Sequence, residues 1–432
     1  MTPMYERPGV QIFHGDSLEV LREMEAGSVQ AVVTDPPYEL GFMGRKWDAS
    51  GIASNVDLWR AVLRVLTPGG HLLAFGGTRT YHRMTCAIED AGFEIRDSLL
   101  YWGYVTGFPK SLDVAKALDK NAGIWRGRAG EAKQGNSAMS GPNYARTDKG
   151  NPATPEAQAW QGWGTALKPA YEPIILARKP LCGTVAATVQ AHGTGALNID
   201  ASRIAGIAEK PGGKINRIRS PQPNGYHNDL IDAPDPHSAG RWPANLILGC
   251  CDAPEPCEAC PVAMLDGQSG VSTTRRNETP SVATEGSTSY AGSFQTNRGA
   301  RGHSDTGGAS RYFFVAKPSR AERDKYLDDL PRQSAGEATS RTDGSAGLDS
   351  PRAGAGRTGG ARNQHPTVKP TALLRYLVKL VTPPGGTVLD LFCGSGTTGI
   401  AARLEGFEFI GVDQDETYCQ TAVRRMAREV ML

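Results

Sequence analysis

The sequence predicts an α/β fold with a mostly parallel twisted sheet assembled from both ends of the chain. Three observations carry this. Strand-like and helix-like segments alternate over residues 10 to 104. The same alternation returns over residues 371 to 413. In that second block a glycine loop joins a strand to a helix, as ligand loops do at the carboxyl edge of such sheets.

The elements follow in order. Val10 to Phe13 reads as a strand ending at His14-Gly15-Asp16, and Ser17 as the N-cap of a helix over Leu18 to Met24. Val29 to Thr34 is a second strand. It ends at Asp35-Pro36-Pro37-Tyr38, because proline cannot donate to a sheet ladder. Leu58 to Leu66 is amphipathic and stops at Thr67-Pro68-Gly69-Gly70. His71 to Phe75 is a strand, Tyr81 to Ala91 a helix, and Phe93 to Trp102 alternates like a strand. Residues 105 to 165 are rich in Gly, Asn, Lys and Arg. Tyr171 to Ala177 is strand-like. Residues 205 to 362 are mostly irregular, with short strands at Asn245 to Leu248 and Arg311 to Ala316. Residues 333 to 362 read as a flexible linker. Thr371 to Val381 is a helix and Gly386 to Phe392 a buried strand. Gly394 to Gly399 opens the helix Thr398 to Leu404, and Phe407 to Val412 is a strand ending at Asp413.

The totals limit the function. A chain of 432 residues suggests two or three domains, or one with large insertions. Hydrophobic content of 39% with 52 glycines points to much loop. The net charge is +2, so contact with nucleic acid must come from local patches. The start MTPMYERPGV has no signal-peptide core, and no run of about 18 apolar residues exists; a cytoplasmic protein is expected. Cys86, Cys182, Cys393 and Cys419 are scattered, which suits a reducing compartment. Cys250, Cys251, Cys257 and Cys260 cluster in CCDAPEPCEAC, with His227 and His237 upstream. The C-x2-C half has metal-type spacing, but a second such pair is missing and adjacent cysteines suit one tetrahedral site poorly. No metal is assigned from this run. Arg203, Lys210, Lys214, Arg217 and Arg219 face only Glu209 as an acid, giving either phosphate contacts or a solvated loop.

The loop LDLFCGSGTTG, 389 to 399, allows a tight turn and close approach of a ligand at Gly394 and Gly396. The helix behind it offers free N–H groups. Asp413 ends the next strand, where an acid can hold two ribose hydroxyls. G-x-G-x-x-G formally permits a dinucleotide. Asp390 and Phe392 ahead of the glycines favour a cationic sulfonium ligand instead, and a dehydrogenase has no use for D-P-P-Y.

D-P-P-Y at 35 to 38, N-Q-H-P-T-V-K-P at 363 to 370, and LDLFCGSGTTG together resemble the S-adenosylmethionine-dependent DNA amino-methyltransferases. The order, catalytic motif first and cofactor loop last, is similar to their permuted beta group. The resemblance implies a Rossmann-like class I methyltransferase fold. It also implies a division of the chain: catalytic half 9–104, insertion 105–167, core strand 168–180, target-recognition region 181–332, linker 333–362, and cofactor half 363–430. It implies S-adenosylmethionine as cofactor, with Asp390, Phe392, Gly394 and Gly396 along its methionine and ribose side. Asp413 would bind the ribose and Asp16 would lie near the adenine. Thr367 and Lys369 would close over the methionine end. As alternatives, Asp16 is a loop residue before a helix cap, and Lys369 a solvated charge.

The same resemblance gives D-P-P-Y a chemical task. An exocyclic amino group is a poor nucleophile because its lone pair is delocalised into the ring. Asp35 can accept one N–H and the Pro36 carbonyl another, held rigid by Pro36 and Pro37. Tyr38 would stack on the extruded base. Tyr101, Trp102 and Tyr104 can approach that base, or belong to the core. D-P-P-Y leans toward adenine N6, whereas S-P-P-Y leans toward cytosine N4. Double-stranded DNA is the implied partner; a homodimer and a partner restriction enzyme are compatible with it. The rival readings are another amino substrate in RNA or protein, an inactive DNA-binding relative, and a nicotinamide dehydrogenase.

Overall fold

The computed structural model describes residues 2–40, 46–96, 100–103, 111–126, 145–147, 151–167, 171–204, 214–218, 228–232, 240–250, 260–273, 306–316, 320–332, 361–365 and 367–429. It separates into two compact units, 1–103 with 172–432, and 104–171.

The larger unit is built on an 11-stranded sheet. Its strands are β1 (Tyr5–Arg7), β2 (Val10–His14), β3 (Val29–Thr34), β4 (Leu66–Phe75), β5 (Glu94–Ile95), β6 (Leu100–Gly103), β7 (Tyr171–Arg178), β8 (Leu246–Gly249), β9 (Phe314–Ala316), β10 (Thr387–Asp390) and β11 (Glu408–Asp413). The order is β1-β2-β11-β10-β3-β4-β7-β6-β8-β9, with β5 paired to β7 off this path. Pairing is parallel through β2, β11, β10, β3 and β4. It is antiparallel between β1 and β2 and where β7 meets β4 and β5. The C-terminal strands β10 and β11 thus sit between the N-terminal strands β2 and β3, the sheet expected from both chain ends.

Both faces are covered, which explains the near-continuous apolar strands. Ala31 and Val33 of β3 face one core layer, with the helices Thr371–Val381 and Thr397–Leu404. Val32 faces the other, with the helices Ser17–Glu23, Val56–Val65 and Tyr81–Asp90. Val29 also belongs to this second layer, against simple alternation. The pairing with β4 shifts register at the same place, where Val29 pairs with Leu66 but Ala31 with His71, so the extra residues lie in β4.

Three expectations are adjusted. Asp16, not Ser17, caps the first helix; its Oδ1 accepts from Leu18 N at 2.9 Å and Glu19 N at 3.1 Å. Ser17 is the first helical residue and donates instead to the Leu391 carbonyl at 2.6 Å. Thr67 to Gly70 continue into β4 rather than forming a free turn, because Gly69 N donates to the Lys179 carbonyl at 3.2 Å and Lys179 N donates to the Gly70 carbonyl at 2.9 Å. The apolar alternation from Phe93 to Trp102 divides into β5 and β6.

In the smaller unit, buried Asp119 accepts from Ala153 N, Thr154 N and Thr154 Oγ1, tying the helix Val114–Asn121 to the start of Pro155–Ala159. Among the described residues, no helix is long and apolar enough to cross a membrane.

Phe409 of β11 fills space that two glycines leave open. A Cβ on Gly399 would lie 2.6 Å from its ring and 2.4 Å from Met426 Sδ; one on Gly411 would lie 2.8 Å from the ring. Gly399→Ala gains about 1 kcal/mol of helix propensity but overpacks a ring with nowhere to move. It should lower stability by about 1–2 kcal/mol net in urea denaturation; an unchanged or raised midpoint would contradict this packing.

Candidate functional site

Parallel pairing of β3 with β10 brings their carboxyl ends side by side. Thr34 ends β3 and Asp390 ends β10, and Thr34 Oγ1 donates to Asp390 Oδ1 at 2.7 Å. Leu391 N donates to Thr34 Oγ1 at 3.3 Å and Phe392 N to Asp390 Oδ1 at 3.1 Å. The turn after β10 is therefore latched to the residue that precedes Asp35. Asp390 is buried, 2% exposed, and burial pushes its carboxyl up to about 6, with hydrogen bonds from Thr398, Thr34 and Phe392 opposing.

Asp35 begins the turn beyond β3. Lys369 Nζ donates to its Oδ2 at 2.6 Å, to Tyr38 OH at 3.2 Å, and lies 3.4 Å from Glu172 Oε2. Tyr38 OH donates to Glu172 Oε2 at 2.8 Å. The side chains of Lys369, Glu172 and Asp35 are 9%, 16% and 22% exposed, so these charges meet mostly away from water. Burial works against the Lys369 ammonium, but Asp35 and Glu172 together outweigh it and hold it above the usual lysine range. Burial raises the Asp35 carboxyl despite Lys369. Asp35 Oδ1 is buried and has no hydrogen-bond partner among the described residues. A buried orphan acceptor is costly, and a docking N–H group would relieve it.

Tyr38 is placed by its neighbours. Thr80 Oγ1 donates to its carbonyl at 2.6 Å, and a Cβ on Gly77 would lie 3.2 Å from its Cβ. A cleft beside Pro37 and Tyr38 is lined further by Phe75, Tyr81 and Met84.

The glycine loop follows β10. Gly394 has φ +50° and Gly396 φ +78°, backbone that side chains disfavour. A Cβ on Gly394 would lie 2.6 Å from His365 Nε2, and one on Gly396 2.8 Å from Ala422 Cβ. Asp413 Oδ2 accepts from Gly394 N at 2.8 Å, and its Oδ1 from Asp415 N at 2.9 Å. Burial pushes this carboxyl up to about 6 as well, with those two backbone bonds opposing. Behind the loop, buried Arg425 donates to the Ser395 carbonyl at 2.7 Å, Ser395 Oγ at 3.1 Å and Thr397 Oγ1 at 3.0 Å. His365 packs edge-on against Tyr418 at 4.7 Å; burial, Lys369, Arg323 and Arg425 lower it to about 3, so the ring is neutral.

The residues expected from sequence therefore fall into two neighbouring groups. Asp35, Pro36, Pro37 and Tyr38 form one, and Lys369 joins them rather than the glycine loop. Asp390, Phe392, Gly394, Gly396 and Asp413 form the other. Thr367 is exposed, Phe392 is half-buried, and Asp16 is occupied in part as a helix cap. Glu172, Thr34 and Arg425 were not legible as site residues. Glu172 had one signal, an acid followed by proline at the head of an apolar strand, as in D-P-P. Trp102 packs against the core. Arg203 is held by Asp200 Oδ1 at 2.9 Å and the Gly240 carbonyl at 3.2 Å. Lys210, Arg219, Glu209, Tyr104, His227, His237, Cys251 and Cys257 lie outside the described residues, as do the side chains of Lys214 and Arg217.

The raised Asp390 carboxyl has a sign that can be checked. The folded state holds its proton from the ordinary value of 3.8 up to about 6, so its contribution to stability falls as pH rises through that window. Asp390→Asn keeps an acceptor for Thr34 and Phe392 without the charge. Relative to the unsubstituted chain, it should gain on the order of 2–3 kcal/mol between pH of about 4 and about 6, then level off. Urea denaturation across that range tests this; a flat difference would deny the buried charge.

The comparisons bear on the same region. Residues 310–424 match the N6_N4_Mtase family model, described as DNA methylase. Type II methyltransferase M2.DpnII of Streptococcus pneumoniae is 42% identical over 66 residues, 15% of this chain and 25% of that protein. Type II methyltransferase M.ScaI of Streptomyces caespitosus is 38% identical over 76 residues, 18% of this chain and 25% of that protein. The chain thus aligns with about a quarter of the length of these relatives. Among solved structures, the PvuII DNA methyltransferase (cytosine-N4-specific) aligns with a TM-score of 0.44 at 13% identity, covering 98% of this chain and 88% of that one. Residues 310–424, which hold the glycine loop, Asp413 and Lys369, are thus the part of the chain that is similar to the N6_N4_Mtase family of DNA methylases.

Proposed function

We propose that this protein transfers a methyl group from S-adenosylmethionine to an exocyclic amino group of a base in double-stranded DNA, adenine N6 in the first place. The observation that carries this is Asp35, whose Oδ1 is buried with no partner among the described residues, at the carboxyl edge of the sheet, next to the glycine loop.

The residues present suit such a cofactor. Gly394 and Gly396 keep side chains off the loop backbone, and the acids Asp390 and Asp413 flank it. Both carboxyls are raised by burial, and a cation would favour their ionised forms. Bound there, the cofactor supplies an electrophilic methyl on a sulfonium. The remaining work belongs to the chain. Asp35 Oδ1 accepts one N–H of the target amino group and the Pro36 carbonyl accepts the other. The nitrogen lone pair is thereby drawn out of the ring. Tyr38, held by Thr80, Gly77 and Glu172, presents its ring to the extruded base. Lys369 holds Oδ2, orients Asp35 and favours its ionised form against the effect of burial. The D-P-P-Y form favours adenine; cytosine N4 is the second reading, since the same acceptors serve either amino group. The permuted motif order, a flipped base and a role beside a restriction enzyme belong to this proposal too.

The deciding experiment is transfer of labelled methyl to double-stranded DNA, followed by nucleoside digestion and mass analysis. N6-methyladenine is expected; N4-methylcytosine would correct the base, and label found only in RNA or protein would overturn the DNA substrate. Asp35→Ala should cost on the order of 10²–10⁴-fold in turnover, with cofactor affinity within a few-fold by calorimetry. Turnover near the unsubstituted level would remove Asp35 from the chemistry.

Lys369→Met tests the ion pair. Lys369 lowers the Asp35 carboxyl, so its loss raises that carboxyl further. The acid limb of the turnover–pH profile should move to higher pH; an unmoved limb with merely weaker cofactor binding would return Lys369 to the cofactor.

A further inference from the structure

Asp35, Glu172 and Lys369 place two carboxyl groups and one ammonium in a mostly dry cluster, and the charges are uneven. Lys369 Nζ donates to Asp35 Oδ2 at 2.6 Å and lies 3.4 Å from Glu172 Oε2. The same Glu172 oxygen accepts from Tyr38 OH at 2.8 Å. Among the described residues, the other titratable groups acting on Asp35 are Tyr38 in its own turn and Asp390 at the end of β10. With both carboxyls of the trio ionised, one more negative charge is present than Lys369 needs. The trio can therefore take up one proton and still keep an ion pair.

The proposed reaction releases a proton at this place. The amino nitrogen gives its lone pair to the methyl group as the methyl–sulfur bond breaks, and the bonding pair of that bond stays on sulfur. The nitrogen then carries a positive charge and both of its hydrogens. The hydrogen held at Asp35 Oδ1 passes to that oxygen, and the N–H pair returns to nitrogen. What results is a neutral methylamino base, a neutral thioether and an uncharged Asp35 carboxyl. Water takes the proton from Asp35 once the base has left.

Whether Asp35 can hold that proton depends on Glu172. With Asp35 as its sole partner, Lys369 would be left as an unpaired buried ammonium when Asp35 is protonated, which is strongly unfavourable. Glu172 reaches the same Nζ from β7 and remains as its counter-charge. We propose that Glu172 is a positioning residue that keeps Lys369 paired and so lets Asp35 take the proton released when the amino group is methylated, a role that rests on the methyl-transfer reading above. The Asp35 carboxyl is shifted in the matching direction: burial raises it, Lys369 lowers it, and Glu172 raises it again.

The test uses the full chain carrying Glu172→Gln, which keeps an acceptor for Tyr38 and Lys369 without the charge. The turnover–pH profile on double-stranded DNA is measured. Asp35 is also titrated directly, by NMR of the chain with isotope-labelled aspartate carboxyls, its signal assigned by loss in Asp35→Asn. The acid limb and the Asp35 midpoint should both move down by about one pH unit, opposite to Lys369→Met. Plateau turnover should fall by about threefold or more, because a weaker base removes the proton more slowly. Glu172→Asp keeps the charge and should return the limb toward its original position. An unmoved midpoint overturns the proposal, and so does a lowered midpoint with plateau turnover intact. If the unsubstituted chain methylates no DNA while the midpoint still falls in Glu172→Gln, the coupling of the three charges stands and the assigned reaction fails. A single turnover of the unsubstituted chain, followed with a pH indicator, needs no variant. The proton should reach solution with product release, after methyl transfer; a proton released together with the transfer would overturn the proposal.

Discussion

The parallel pairing of β3 with β10 is the constraint on which the rest of the larger unit depends. Val388 pairs with Ala31 and Leu389 with Val32, across most of the length of the chain. Closing so long a loop has an entropic cost that two short strands cannot repay by their ladder bonds. The repayment comes from the two core layers on either face, where alternate residues of both strands are buried. Once the strands are neighbours, their carboxyl ends are neighbours too. The bond from Thr34 to Asp390 then sets the acid of one motif against the loop of the other.

The electrostatics of the site are built on that edge. Glu172, from antiparallel β7, and Lys369, from the segment before the helix Thr371–Val381, meet Asp35 and Tyr38. Two carboxylates and one ammonium in a mostly dry setting need one another, since any of them left unpaired would be expensive. The arrangement leaves one carboxylate oxygen of Asp35 over. On the glycine-loop side, Asp390, Asp413 and Arg425 are spent chiefly on the protein's own backbone and hydroxyls. They hold the loop in a shape that only glycine permits at Gly394 and Gly396.

Both motif groups were legible because each is local. A strand that breaks at D-P-P-Y and one that breaks at a glycine loop announce themselves through a short apolar run and through residues that cannot continue a ladder. Asp16 shows the limit of such reading. An acid after a strand and before a helix suits a ligand and a helix cap equally, and here its Oδ1 serves the cap. Arg425 lies on an amphipathic helix among other arginines, with nothing local to separate a buried cation from the solvated ones beside it.

The sequence by itself determined the α/β class and the order of most strands and helices along the chain. These depend on side-chain periodicity and turn residues a few positions apart. Only the tertiary structure decided that β10 and β11 enter between β2 and β3. It alone decided that Lys369 answers Asp35 instead of the glycine loop, that Glu172 joins them, and that Cys250 meets Cys260. The physical reason is the same in each case. A buried charge or thiol takes its partner from whichever distant segment the core brings within about 4 Å, and that choice belongs to the packing of the whole sheet.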